Sequence, residues 1–261
     1  MAERKVMLAD VWNESIDPKG WLLSEKFNGR RAEFDGKWLR SSSGQVIAAP
    51  ASFLQSLPPI PLDGELWLGR GEGNLQEIGS IVSRSQPDER WSKVSYLVFD
   101  LPDPAAGPFS ERVRILQGVF ATHRSPRVAL VPYAECKSRV HFDEVFEQVV
   151  SMEGEGVMLR RPDSRYVRRR VSTLLKRKKF FDDEATVIGH QPGENGCAGM
   201  LGALVCRLDN GIEFEIGTGF SVEQRRSPPP IGSRVTFRYP ERSREGRPIG
   251  SPSYQGVRPD E

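Results

Sequence analysis

The octapeptide Ser24-Glu25-Lys26-Phe27-Asn28-Gly29-Arg30-Arg31 constrains this chain more than any other stretch. It follows the apolar run Trp21-Leu22-Leu23 and leads into the alternating Ala32-Glu33-Phe34. Two β-like runs on either side of an Asn-Gly pair read as strand, tight turn, strand. The pattern predicts a hairpin that holds the Lys26 amine at the mouth of a sheet, with Arg31 close by. An amine acts as a nucleophile only where burial or cationic neighbours populate its neutral form. Taken alone, the octapeptide favours a surface hairpin with an ordinary lysine.

The neighbouring stretches supply partners for that lysine. Residues 21 to 42 read as short strands, and Pro50 to Leu57 as a helical turn stopped by Pro58-Pro59. Ile60 to Trp67 reads as a strand carrying Asp63-Gly64-Glu65, and Val94 to Asp100 as a buried one. The glycine-rich loop from Gly69 leads into a short helix around Leu75 to Val82. Ser110 is placed to cap a helix with the apolar face Ile115, Leu116, Val119 and Phe120. Phe142, Val145, Phe146, Val149 and Val150 recur at helical steps, and Gly154 and Gly156 close that helix before the strand Val157-Met158-Leu159-Arg160. Residues two apart in a strand face the same way, so Lys176 and Lys178 point into one cleft. Glu65 and Glu155 are carboxylates suited to a hard divalent cation or a sugar hydroxyl. Together with Lys26 and Arg31 they make a set of nucleophile, metal carboxylates and phosphate clamps.

Near residue 182 the pattern changes. Ala185 to Ile188, Ala203 to Leu208, Ile212 to Ile216 and Ser233 to Tyr239 are β-like runs between turns rich in glycine and proline. With room for a fifth strand near the end, they predict a small antiparallel barrel of the oligonucleotide-binding type. The boundary is placed to give domains 1–182 and 183–261.

Charge matters for its distribution, since the net value is only +2. Between residues 160 and 179 lie ten cations: Arg160, Arg161, Arg165, Arg168, Arg169, Arg170, Lys176, Arg177, Lys178 and Lys179. Such density predicts a phosphate-tracking surface whose affinity falls steeply with salt. Three scattered cysteines, Cys136, Cys197 and Cys206, give neither a zinc spacing nor a disulfide framework, and suit a reducing compartment. No apolar run approaches the ~20 residues of a membrane helix. The N-terminus lacks the apolar core of a secretory signal. A cytoplasmic monomer with no membrane contact is expected, or a periplasmic one if an export signal has been removed.

The set resembles the covalent nucleotidyltransferase superfamily of DNA ligases, RNA ligases and capping enzymes, and more narrowly the minimal bacterial ATP-dependent DNA ligases. Lys26, Gly29 and Arg31 match the family's K-x-D-G-x-R. Leu62 to Leu66 match its Leu-Asp-Gly-Glu-Leu without change, and Phe99-Asp100 match the aromatic-Asp pair. Glu155 to Arg160, Leu175 to Lys178 and Asp182 to Val187 resemble later motifs, and Arg258-Pro259-Asp260 a trace of the last, R-x-D. Two positions depart: Asn28 replaces the motif aspartate, and Ser42 replaces the arginine of Ser-Arg-x-Gly, with Arg40 two residues earlier.

The resemblance implies an α+β fold. A nucleotidyltransferase (adenylation) domain of antiparallel sheets with flanking helices would precede a small OB-fold β-barrel. It implies ATP and Mg2+ (or Mn2+) as cofactors and nicked double-stranded DNA as partner. Lys26 would carry AMP. Glu25, Arg31, Glu65, Phe99, Lys176 and Lys178 would contact the nucleotide, with Phe99 stacked on adenine. Glu155 and Glu65 would hold metal. Arg40, Ser41 and the arginines at 160, 161, 165, 168, 169 and 170 would hold nucleic acid. The alternatives are an RNA-end ligase or capping-type transferase, to which Asn28 gives room, and a non-catalytic nucleic-acid-binding relative.

Overall fold

The structure, a computed structural model, describes residues 6–71, 74–243 and 245–258. Pro259 and Asp260, the end of the terminal motif, lie outside them. The chain divides into two compact units, Met1–Lys178 and Lys179–Glu261. Among the described residues no helix is long and apolar enough to cross a membrane.

Among the described residues the first unit contains ten strands and four α-helices. The strands are β1 (Leu8–Val11), β2 (Leu22–Lys26), β3 (Arg30–Phe34), β4 (Leu39–Ser41), β5 (Leu62–Trp67), β6 (Ser95–Asp100), β7 (Val128–Leu130), β8 (Ala134–Glu135), β9 (Gly156–Arg160) and β10 (Arg170–Lys178). The helices are α1 (Ala51–Gln55), α2 (Asn74–Val82), α3 (Phe109–Thr122) and α4 (Arg139–Ser151). One sheet has the order β1-β10-β9-β2-β8 and the other β4-β3-β5-β6-β7. Both are antiparallel except for one parallel edge pair each, β1 with β10 and β6 with β7.

The expected hairpin at Asn28-Gly29 does not form. β2 pairs with β9 and β8, while β3 pairs with β4 and β5. Phe27 to Gly29 therefore carries the chain from one sheet to the other. The glycine is required by crowding: a Cβ there would lie 2.3 Å from the Leu66 carbonyl oxygen and 2.8 Å from Glu65 Cγ. Ser110 lies inside α3, whose N-cap position is Pro108.

Period-2 alternation gives each sheet one apolar face. Ala32, Phe34, Leu39, Leu62, Leu66, Tyr96 and Val98 build the larger core with α1, α2 and α3. Leu23, Leu159, Leu175 and Val157 build a second with Phe142, Phe146 and Val149 of α4. Arg177 faces this second core. Its guanidinium lies 3.9 Å over the Phe146 ring and is paired with Asp143 of α4.

The second unit contains β11 (Phe181–Pro192), β12 (Leu201–Arg207), β13 (Glu213–Ile216), β14 (Arg234–Tyr239), a short β15–β16 pair (Glu241–Arg242, Pro248–Ile249) and β17 (Ser253–Val257). Its antiparallel sheet runs β13-β12-β11-β14-β17 over a core that includes Val187, Leu204, Phe214, Val235 and Phe237. The strand set is that of an OB-like domain, but the expected closed barrel is not formed. Among the described residues, the only β-bridge from the segment after β13 to β17 is the isolated Thr218–Ser253 pair. Gly219 (φ +88°) abuts Tyr254 there, so closely that a Cβ would lie 2.4 Å from its carbonyl oxygen. The Tyr254 amide donates to the Thr218 carbonyl oxygen at 2.9 Å, and the Phe220 and Tyr254 rings stack at 4.6 Å, so the two ends meet through side chains and a single bridge.

A buried ion triad anchors β6 to β9 and α3. Asp100 accepts from Arg112 at 2.7 and 3.1 Å and from Arg160 at 2.9 Å, with all three residues buried. Removing one partner strands the other charges in a poorly hydrated interior. Asp100→Asn is expected to cost on the order of 3–5 kcal/mol, read as a lower urea midpoint with an unchanged slope.

Candidate active site

Strand register assembles the site. Lys26 of β2 lies opposite Gly156 of β9, which lies opposite Lys178 of β10, so the two lysines flank a residue with no side chain. The next row along is Ser24, Met158 and Lys176, and the next Leu22, Arg160 and Leu174. Gly156 has φ +149°, and a Cβ there would lie 2.1 Å from the Arg177 carbonyl oxygen. Glu155, just before it, reaches between the lysines. Its Oε2 lies 2.5 Å from Lys26 Nζ and its Oε1 lies 2.5 Å from Lys178 Nζ.

The other sheet supplies the facing wall. Arg31 and Glu65 are directly opposed across β3 and β5. Between β5 and β6 the register shifts, with Asp63 opposite Asp100 and Gly64 opposite Val98. Phe99 is thus the extra residue of a bulge, a device that re-aims a side chain. Its carbonyl oxygen accepts from Tyr133 Oη at 2.8 Å, and the Arg31 guanidinium lies 5.2 Å from its ring centre. Arg31 itself donates to Asp63 at 2.9 and 2.6 Å and to the Met7 carbonyl oxygen, while Tyr166 donates to the same buried Asp63 at 2.8 Å. Arg31 is therefore held by protein groups, with its flat face left toward Phe99.

The two walls enclose a cavity of about 220 Å³. Glu25, Lys26, Arg31, Glu65, Phe99 and Lys176 all line it. Lys178 joins them through Glu155. Glu25 is held bidentately by Arg70 at 3.0 and 2.6 Å. The structure thus brings together all seven residues expected at the nucleotide, with Glu155. Tyr133, Met158, Val131 and Leu174 also line it, with Phe109 and Arg160 among others. Sequence reasoning missed the first four; period 2 along β9 and β10 is a signal that could have found Met158 and Leu174, and nothing local marks Tyr133.

Desolvation pushes the Glu65 carboxyl up to about 7, against the opposing pull of Lys26 and Arg31. Burial, then repulsion from Lys178 and Lys26, pushes the Lys176 ammonium below its ordinary value. The cavity therefore holds cations crowded around too little negative charge, an arrangement that favours an incoming polyphosphate.

The residues expected at nucleic acid are dispersed. Arg160 is buried in the Asp100 triad and stacks on Phe109 at 4.6 Å. Arg168 is spent on the buried Glu33, at 2.6 and 2.8 Å. Arg160 is thus withdrawn from the surface, and Arg168 is half-buried. Arg161 is exposed but paired with Asp163 at 2.6 Å. Arg40 donates to Asp35 at 3.0 Å, and the Ser41 hydroxyl lies 2.9 Å from that of Ser43, both on edge strand β4. Arg165, Arg169 and Arg170 are exposed.

Comparison with known proteins bears on this geometry. Residues 7–178 match the family described as ATP dependent DNA ligase domain, and residues 192–258 match the DNA ligase OB-like domain. A DNA ligase of Haemophilus influenzae is 36% identical over 247 residues, covering 95% of this chain and 90% of that protein. The multifunctional non-homologous end joining protein LigD of Mycolicibacterium smegmatis is 26% identical over 93% of this chain, but the match spans 36% of its own length. A solved Lig E DNA ligase superposes with a TM-score of 0.88 at 35% identity, covering 97% of this chain and 99% of that one. The adenylate of Chlorella virus DNA ligase does so with a TM-score of 0.59 at 26% identity, covering all of both. An RNA-end ligase or capping enzyme is not favoured by these matches.

Since the folded-state value of Glu65 is raised, the folded protein retains a proton that the unfolded chain has lost. Its contribution to stability is full below the unfolded value of about 4.5 and declines as pH rises toward about 7. Glu65→Gln is expected to gain stability relative to the parent across that window. Paired urea titrations at several pH values check it; a difference independent of pH would contradict the assignment.

Proposed function

The chain belongs to the ATP-dependent DNA ligase family, and we propose that it seals nicks with 5′-phosphate and 3′-hydroxyl ends in duplex DNA through a lysyl-AMP intermediate. The observation that carries the reading is the Lys26–Glu155–Lys178 bridge, which holds Lys26 at a cavity that Phe99 also lines.

In the first step Lys26 Nζ attacks the α-phosphorus of ATP. An N–P bond forms, the bond to the β-phosphate oxygen breaks, and pyrophosphate leaves. Nζ must lose its proton before it attacks, and Glu155 Oε2 at 2.5 Å is the group placed to take it. Lys176 and Lys178 are placed to neutralise the charge that builds on the α-phosphate. The Phe99 ring, backed by the Arg31 guanidinium, offers a flat face for adenine. In the second step the 5′-phosphate of the nick takes AMP from Lys26, and in the third the 3′-hydroxyl displaces AMP from that phosphate.

Glu155 and Glu65 are the carboxylates that would hold Mg2+ or Mn2+. Their chemistry fits: Mg2+ takes one or two protein carboxylates and completes its shell with water and phosphate oxygens. Among the described residues no group of three His, Cys, Asp or Glu side chains is placed to hold a metal ion. Bound there, the ion supplies positive charge to the triphosphate. Asn28 keeps the crossing between the sheets but cannot supply the negative charge of an aspartate.

Incubation with ATP and Mg2+ should add one adenylate to the protein by mass spectrometry, and a nicked duplex should discharge it. Lys26→Ala should carry no label; a persisting label would refute the nucleophile. Asn28→Asp should speed sealing of a pre-adenylated nick while leaving the rate of self-adenylation within about twofold. An equal effect on both steps would place Asn28 outside the last one.

A further inference from the structure

Among the described residues the chain crosses between the two sheets of the first unit twice. Phe27 to Gly29 carries it from β2 into the sheet of β3, and Val131 to Tyr133 carries it back from β7 to β8. The second crossing is short and stiff, because Pro132 fixes one of its own backbone angles and restricts the residue before it. The Val131 amide donates to the Val98 carbonyl oxygen at 2.8 Å, which ties the start of the crossing to β6. β8 then pairs with β2 through Leu22–Glu135 and Leu23–Ala134. Tyr133 therefore stands at the joint, between the strand that carries Phe99 and the strand that carries Lys26.

Its side chain uses that position. The hydroxyl donates to the Phe99 carbonyl oxygen at 2.8 Å and is hydrogen-bonded to the Ser24 hydroxyl. Phe99 is the bulged residue of β6, so its carbonyl lies where the β5–β6 ladder is interrupted. Ser24 is buried and stands two residues before Lys26, on the same face of β2. A phenol has one proton to give and lone pairs to receive another, so both contacts are satisfied together. Burial, then the charge of Asp100, pushes the phenol above its ordinary value and keeps it a neutral donor. The ring packs edge-on against Phe109 at 5.1 Å, and Phe109 in turn lies under the Arg160 guanidinium at 4.6 Å. The ring is thus held independently of its hydroxyl.

We propose that Tyr133 is a positioning residue for self-adenylation, whose hydroxyl sets the Phe99 platform against the strand that carries Lys26. The proposal rests on the ligase reading above, in which the Phe99 ring takes adenine. The hydroxyl acts on Phe99 through the backbone, so the base should sense its loss and the triphosphate should not. Lys26, Lys176 and Lys178, which meet the phosphates in that reading, are placed by other strand pairings.

The test is self-adenylation at varied ATP, with inorganic triphosphate as a competitor that lacks a base. Tyr133→Phe keeps the ring and its packing and removes only the hydroxyl. It should raise the ATP concentration for half-maximal rate about five- to tenfold, the worth of one hydrogen bond. The maximal rate and the inhibition constant of triphosphate should stay within about twofold, as expected when only binding of the base is lost. Added to Phe99→Ala, Tyr133→Phe should bring no further change, because the ring it positions is gone. An unchanged ATP requirement, an equal weakening of triphosphate, or an undiminished effect in the Phe99→Ala background would each overturn the proposal. Parent protein that forms no adenylate would instead overturn the ligase reading, which separates the two failures.

Discussion

One carboxylate holds the active site in its resting form. Glu155 accepts from Lys26 on one oxygen and Lys178 on the other, tying the ends of β2 and β10 across β9. Neither ammonium is then left uncompensated in a half-buried cavity, where an unpaired charge is costly. The glycine at 156 makes the bridge possible, because any side chain there would stand between the lysines. Lys26 and Lys178 are thereby placed by backbone register, with Glu155 carried at the entry to β9.

A second network supports the first from the facing sheet. Asp63 gathers Arg31 and Tyr166, and Asp100 gathers Arg112 and Arg160. Arg31 and Arg160 line the cavity themselves, and Arg112 lies 5.8 Å from the centre of the Tyr166 ring, so the two networks meet and together fix the strand that carries Glu65 and the bulge that holds Phe99. The motif Leu62 to Leu66 thus has two jobs. Its aspartate holds structure and its glutamate lines the cavity.

Much of this was legible in the chain and some was not, for definite reasons. Alternation in β10 placed Lys176 and Lys178 on one face, and the helical spacing of Phe142, Phe146 and Val149 marked α4. Both signals are local, and local periodicity survives folding. Asn28-Gly29 misled because a turn pair reports on adjacent residues, while β2 and β3 are claimed by partners far along the chain. The arginine run misled in the same manner. Arg160 finds Asp100 sixty residues away and Arg168 finds Glu33 at a separation of 135, distances no spacing rule can see. Barrel closure, too, depends on how β13 meets β17, which a count of strands leaves open.

Arg177 interrupts the two lysines of β10 and points the opposite way, over Phe146 and onto Asp143. Sliding the strand by one residue would exchange its faces. Ammonium groups would then enter an aromatic layer, and Glu155 would meet a guanidinium of the wrong reach. A misthreaded chain is thus penalised on both sides at once, so the strand proofreads its own alignment during folding.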